Sequence, residues 1–235
     1  MDRNNIPTHI SVIMDGNGRW AKEQGQARVY GHRNGVKAVR EITEAAAEIG
    51  VKYLTLYAFS TENWARPKFE VNALMGLLVN TLKTEIATLN KNNIRLQAIG
   101  DLDGLPTRTR KALEKGMLDT KDNTLMTLVL ALNYSSRWDI THAMQQIASD
   151  TSAGKIKSDQ ISAETISAYL STASIPDPEL IIRSSGEQRL SNFLLWESAY
   201  AEFYFSPVLW PDFRKEHLHA AIESYQSRNR RFGKV

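Results

Sequence analysis

At 235 residues, with 42% hydrophobic and 23% charged content, the chain has the composition of an ordinary globular protein and enough length to bury a sizeable core. It contains no Cys, which removes thiol nucleophiles, disulfide frameworks and Cys-built zinc sites and is compatible with a reducing cytoplasm. A net charge of +3 is too small to argue for nucleic acid, no apolar run is long enough to span a membrane, and the polar first residues give no signal peptide.

The first apolar run, residues 10–14, predicts a strand that ends at Asp15-Gly16-Asn17-Gly18-Arg19-Trp20. A glycine-bearing turn directly after a strand lets backbone N–H groups approach phosphate oxygens, and Arg19 adds a bidentate, charge-assisted contact. Asp15 could hold a hard divalent cation through oxygen. Asp-Gly alone reads better as a plain tight turn. Arg28 and His32, close behind, weigh against that bland reading. Neither the Walker pattern nor the dinucleotide fingerprint is present, so a mononucleotide or dinucleotide is not the favoured ligand.

Helical periodicity follows over residues 32–49, then a strand over residues 53–59. That strand runs into Ser60-Thr61-Glu62-Asn63-Trp64-Ala65-Arg66-Pro67, where hydroxyls, a carboxylate, an amide, an indole and a guanidinium crowd together. A loop closing over a ligand accounts for both its polar residues and its indole. The helix predicted over residues 70–91 carries an apolar arc of about 200°, wider than one core-facing stripe needs. Its pattern fits burial on two sides better than a face lining a cavity.

A strand over residues 94–99 alternates with Arg95 and Gln97, so one of its faces is less buried; a helix follows over 106–119. The almost wholly apolar run 125–132 reads as a central strand. Beyond it lie a helix over 135–148, a polar loop over 149–158, a helix over 163–170 and short strands over 180–182 and 203–205. A last helix is expected over 212–230. The alternation predicts one α/β domain, residues 1–235, with a largely parallel sheet covered by helices.

Between the last two strands stands Arg183-Ser184-Ser185-Gly186-Glu187-Gln188-Arg189-Leu190-Ser191-Asn192, a second candidate anion loop. Ser191 could equally N-cap a helix there, and the two readings are compatible. Glu202 enters an apolar strand alone and needs a partner or a metal once buried.

At these loops the sequence resembles the cis-prenyltransferase family, closest to its bacterial isoprenyl transferases. The resemblance runs from His9 to Gly233 and rests on Met-Asp-Gly-Asn-Gly-Arg-Trp-Ala, Tyr-Ala-Phe-Ser-Thr-Glu-Asn-Trp-x-Arg-Pro, Asn-Tyr-x-x-Arg-Trp-Asp, Ile-Arg-Ser-Ser-Gly-Glu-x-Arg-x-Ser-Asn-Phe and Leu-Trp-Pro-Asp-Phe. It implies repeated cis addition of isopentenyl diphosphate to an allylic diphosphate such as farnesyl diphosphate, giving a long polyprenyl diphosphate for cell-wall synthesis. It further implies Mg2+, a homodimer and an apolar tunnel, which raises the cavity reading of helix 70–91. Nucleic acid is not implied. A cytoplasmic enzyme with transient contact at the inner face of the membrane is.

Residue by residue, the resemblance gives Asp15 to magnesium and to ionisation of the allylic diphosphate. Gly16, Asn17, Gly18, Arg19, Arg28 and His32 cradle that diphosphate beside Trp20. Ser60, Thr61, Glu62, Trp64 and Arg66 contact substrate, and Asn63 matches the position assigned as proton acceptor. Arg183, Arg189, Leu190 and Ser191 match the isopentenyl diphosphate site, and Glu202 the second magnesium position. Gln188 departs from a His found in some members, so it receives no metal role; Ser184 stands where Thr is usual. Arg231-Phe232-Gly233 resembles an element that reaches the partner subunit's site. The motifs are shared with short-chain enzymes of the family. A non-catalytic partner subunit is disfavoured by the presence of Asp15, Asn63, Arg66 and Arg183. Arg228, Arg230 and Arg231 have no nucleic-acid motif behind them.

Overall fold

The computed structural model describes residues 1–228. Six strands form one sheet in the order β3-β4-β2-β1-β5-β6. They are β1 (His9–Ile13), β2 (Tyr53–Ser60), β3 (Ile94–Ile99), β4 (Met126–Tyr134), β5 (Leu180–Arg183) and β6 (Glu202–Phe205). Every neighbouring pair is parallel, so the sheet expected to be largely parallel is wholly so. Parallel strands need crossovers, and the helical segments supply them. β1 is buried along its whole length and β4 along nearly all of it, because both faces are covered. β3 and β6 are the edges, which explains the exposed Arg95 on β3.

Side chains alternate between the faces. Ile10, Val12, Leu54, Leu56, Leu128 and Leu130 meet buried residues of α2 (Arg28–Ile49), α3 (Lys68–Lys91), α4 (Thr107–Asp119) and α7 (Lys215–Gln226) in the main core. On the other face Ile13, Val129, Ala131 and Tyr134 pack on Phe193 and Leu194. α5 (Ser136–Ser152) and α6 (Ala163–Tyr169) complete the layers.

Three local expectations change. Asn17–Glu23 is a helix, α1, rather than a loop. The expected loop 149–158 is helical as far as Ser152; Asp150 there accepts from the Tyr169 hydroxyl of α6 at 2.7 Å. The last helix starts at Lys215, preceded by a 3-10 turn at Trp210–Asp212, and residues 229–230 of that expectation lie outside the described residues.

Candidate active site

β1 connects leftward to β2 and β5 rightward to β6, so the crevice beyond their carboxyl ends is the topological switch point where open α/β sheets bind ligands. Asp15 leaves β1 there, and Arg183 ends β5 directly beside it. The Arg183 Nη2 donates to Asp15 Oδ2 at 2.9 Å, and Arg19 Nη2 stands 3.6 Å from the same oxygen. The Asp15 main chain is held from both sides, since its N–H donates to Ser184 Oγ at 2.9 Å and its carbonyl accepts from that hydroxyl at 2.6 Å. Burial alone would push the Asp15 carboxyl up, but bonds from Arg183, Ser185 and the Gly16 N–H hold it below the usual carboxylate value. It is an anion at neutral pH.

Gly16 adopts φ +103°, and a Cβ there would stand 2.9 Å from the Leu209 side chain. Left-handed backbone and lack of space both demand glycine. The chain then turns into α1. Gly31 of α2 lets the two helices close up, for a Cβ there would collide with the Asn17 carbonyl. That approach brings Arg28 over Gly18. The Trp20 indole stacks on Tyr30 at 5.8 Å and donates to Asp212 at 2.8 Å.

The loop after β5 is built around Arg183, whose side chain is 5% exposed. Its Nη1 donates to Ser191 Oγ at 2.7 Å and to the Arg189 carbonyl. Ser185, Ser191 and Asn192 all have positive φ, the kind of backbone strain that persists where surroundings over-determine it. Ser191 therefore starts no helix; its hydroxyl serves Arg183 instead, which corrects the N-cap reading. The Leu190 carbonyl accepts from Phe193 and closes the turn. Glu187 sits between Arg19 (3.3 Å) and Arg189 (2.5 Å). Asn192 Nδ2 donates to Glu62 Oε1 at 2.9 Å, tying this loop to the one after β2. Despite the push of burial, that bond helps hold the Glu62 carboxyl low.

The loop after β2 is a 3-10 turn, Thr61–Ala65. Asn63 Oδ1 accepts from the Ser60 N–H at 3.2 Å, and Trp64 Nε1 donates to Asn133 Oδ1 at 2.6 Å. Arg66 and Arg28 flank one buried carboxylate, Glu70, at 3.2 and 3.5 Å. His32 is lowered to about 4 by burial and by the charges of Arg66 and Arg28, so it is neutral, and its Nε2 is buried without a partner.

Below Asn63, Arg66 and His32 opens a cavity of about 240 Å³ between α2, α3 and the sheet. Leu74, Leu77 and Leu78 of the wide apolar arc line it. The second face of that helix is thus a cavity wall, and the two-sided burial favoured by the pattern alone is corrected.

Asp15, the α1 turn, Arg28, His32, Ser60–Arg66 and Arg183–Ser191 are thus brought to one end of the sheet. Glu202 is not. It starts β6 in register with Leu180 and Ile10 and pairs with Arg228 at 2.6 Å. That is two strands away from β1 and about 10 Å below its end. Arg228 is thereby engaged with a carboxylate. The Arg231-Phe232-Gly233 element lies outside the described residues. Gln188 is exposed in the loop. Ser184, Ser185, Glu187 and Glu70 take individual roles that their place in the sequence did not assign, although the first three stand in the second anion loop and Glu70 lies four residues after Arg66, the helical spacing of an ion pair.

No cluster of three metal-ligating side chains exists among the described residues. Mg2+ needs none: it takes one or two carboxylates, keeps waters and fills its shell with substrate phosphate oxygens. Ionised Asp15, about one-third exposed at the mouth, fits that mode.

A wholly parallel α/β sheet with arginine-lined anion loops at its switch point, opening on an apolar cavity, defines an enzyme for substrates with a phosphorylated head and a hydrocarbon tail. Comparison with known proteins agrees. A family model described as "Putative undecaprenyl diphosphate synthase" matches residues 13–233, and the chain belongs to that prenyltransferase family. An isoprenyl transferase of Agrobacterium fabrum is 53% identical over 231 residues, 98% of this chain and 94% of the relative. A farnesyl-diphosphate-specific ditrans,polycis-undecaprenyl-diphosphate synthase of Pasteurella multocida is 51% identical, covering 99% of this chain and 97% of its own. Among solved structures, lavandulyl diphosphate synthase from Lavandula x intermedia, in complex with dimethylallyl diphosphate, superposes with a TM-score of 0.95 at 36% identity. That likeness covers 98% of this chain and 100% of the other.

Proposed function

We propose that this prenyltransferase condenses isopentenyl diphosphate repeatedly with an allylic primer, farnesyl diphosphate by preference, to give undecaprenyl diphosphate. One observation carries the reading: a single buried guanidinium, Arg183, joins Asp15 to the Ser191 loop, so two anion sites stand side by side above an apolar cavity.

The allylic diphosphate lies over α1 with Arg19, Arg28 and His32 around it and its tail in the cavity. Isopentenyl diphosphate lies against Arg189, Ser191 and Arg183. Holding both heads fixes the reacting carbons in line, which is catalysis by positioning. The allylic C–O bond breaks and its electron pair leaves with diphosphate. The C3–C4 double bond of isopentenyl diphosphate attacks the allylic carbon, forming the new C–C bond. A C2 proton is then lost, fixing the alkene. Arginines aimed at the leaving group supply charge where it develops; one close pair is worth about 4 kcal/mol at an effective dielectric near 20. Mg2+ held by Asp15 would neutralise the departing diphosphate.

The proton goes to diphosphate. An amide is far too weak a base, and the Asn63 oxygen already accepts from Ser60, leaving its NH2 to orient a phosphate oxygen. The half-exposed edge strand β6, with Phe203 stacked on Phe205 at 6.3 Å, supports a homodimer. No helix among the described residues is long and apolar enough to cross a membrane. A cytoplasmic enzyme that touches the membrane surface to discharge product fits that and the apolar cavity.

A short-chain product is the second reading, favoured by the modest cavity. Incubation with radiolabelled isopentenyl diphosphate, farnesyl or geranyl diphosphate and Mg2+, followed by product sizing, decides. Long products that vanish with chelator are expected; no incorporation at all would defeat the proposal.

A further inference from the structure

On its α2 side the cavity's roof changes character with depth, while its floor does not. Leu56 and Leu130 form the floor near the mouth, and Leu96 and Leu128 form it below. The α2 stripe is apolar at Val36 and Val39, then turns to Arg40 and Glu44. From His32 to Arg40 is about 12 Å along the helix.

Across this roof α2 and α3 are joined by three polar links. The outer two are long, Arg28–Glu70 at 3.5 Å and Asn92–Glu44 at 3.5 Å. The middle one is bidentate: Arg40 Nε reaches Glu85 Oε2 at 2.9 Å and Nη2 reaches Oε1 at 2.5 Å. Glu85 is only 16% exposed while Arg40 is 54% exposed, so the guanidinium closes over the carboxylate from outside. Fork-to-carboxylate geometry of this kind is the surface pairing that holds best.

About 240 Å³ lies just below the roughly 300–1,000 Å³ that accommodates a drug-sized ligand. A primer's tail fits such a space; a product of many isoprene units does not. The cavity already runs alongside Glu85 to Thr88 and Leu89 a turn deeper, so growth beyond its volume must either spread α2 from α3 or thread more hydrocarbon against Glu85. Spreading breaks both Arg40 bonds. Threading strips the remaining water from a carboxylate that already has little, which raises its desolvation cost. Both routes work against the same pair.

We propose that Arg40 and Glu85 form a clasp that determines product specificity, setting the chain length at which elongation stops. The inference rests on the prenyl-transfer reading above. Product sizing of Arg40→Gln, Glu85→Gln and the swap Arg40→Glu/Glu85→Arg, under the conditions used for the unaltered protein, tests it. Each single variant should lengthen the mean product by at least one five-carbon unit, and the swap should bring it back toward that of the unaltered protein. Arg40→Lys keeps the charge but loses the fork. It should lengthen product to a lesser degree, and it serves if a glutamine variant fails to fold. Unchanged lengths in the singles, or a swap as long as the singles, overturns the clasp while leaving prenyl transfer standing. An unaltered protein that makes no polyprenyl product removes the underlying reading and the clasp with it.

Discussion

Arg183 donates to Asp15 through one amino group at 2.9 Å and to Ser191 through the other at 2.7 Å, so one guanidinium sets the spacing of the two halves of the site. A planar fork does this and an ammonium does not. Arg183→Lys keeps the charge yet can serve only one half at a time. Its kcat/KM for isopentenyl diphosphate is expected to fall by about 10²-fold, the scale of a lost charge-assisted contact. A variant within about threefold of normal would show that charge alone suffices.

Asp15 is about one-third exposed, and its own N–H and carbonyl are both held by Ser184, so these two main-chain ties remain when its carboxylate is removed. Asp15→Ala should lower turnover by about 10²- to 10³-fold, in line with loss of an electrostatic group at the reacting centre. The circular dichroism melt should stay close to that of the unaltered protein. Near-normal turnover would remove Asp15 from the centre of the mechanism.

The Asn63 oxygen accepts from Ser60 N–H, an arrangement a carboxylate keeps. Asn63→Asp therefore preserves the turn but sets a negative charge where diphosphate oxygens should lie. Activity is expected to fall at least tenfold, with a pH profile of unchanged shape. Full activity with an optimum tracking a carboxylate would make residue 63 the base.

His32 lies neutral under Arg28 and Arg66 with its Nε2 buried and unpartnered. An added diphosphate brings negative charge against both the imidazole and the arginines, favouring the protonated ring. Titration of the His32 ring proton by NMR should give a pKa of about 4 in the free protein and a higher one with pyrophosphate present. An unmoved pKa would place the diphosphate away from His32.

Much of this was legible in residue order, and what was not had tertiary causes. The strands announced themselves as short apolar runs ending at polar loops, because a buried parallel strand has no other way to be written. α1 escaped notice because Asn17-Gly18 opens it, and its seven residues are held by packing against Gly31 rather than by propensity. Ser191 looked like an N-cap, yet its left-handed backbone answers to Arg183, eight residues back. Glu70 gained meaning only when α2 brought Arg28 to it. The wide arc of α3 carried the cavity in plain sight. The pattern could not say whether its second face met a neighbour or a void.

His9 offers a test of the core independent of substrate. It is 1% exposed, and its Nδ1 can only donate to the Pro176 carbonyl at 2.6 Å, which leaves Nε2 to accept from Thr55 Oγ1 at 2.7 Å. Protonation would turn that acceptor into a donor inside a dry core. Burial accordingly lowers its pKa from 6.5 to about 4. Between those values the unfolded chain holds the proton and the folded chain does not, so stability rises with pH there. The contribution is complete above pH 6.5 and is lost as pH falls toward 4. A shift of this size corresponds to about 3 kcal/mol. Urea unfolding at pH 7 and at pH 4.5 should show a larger stability loss in the unaltered protein than in His9→Gln, which has no proton to take up. Equal losses in the two proteins would mean that His9 is already charged in the fold.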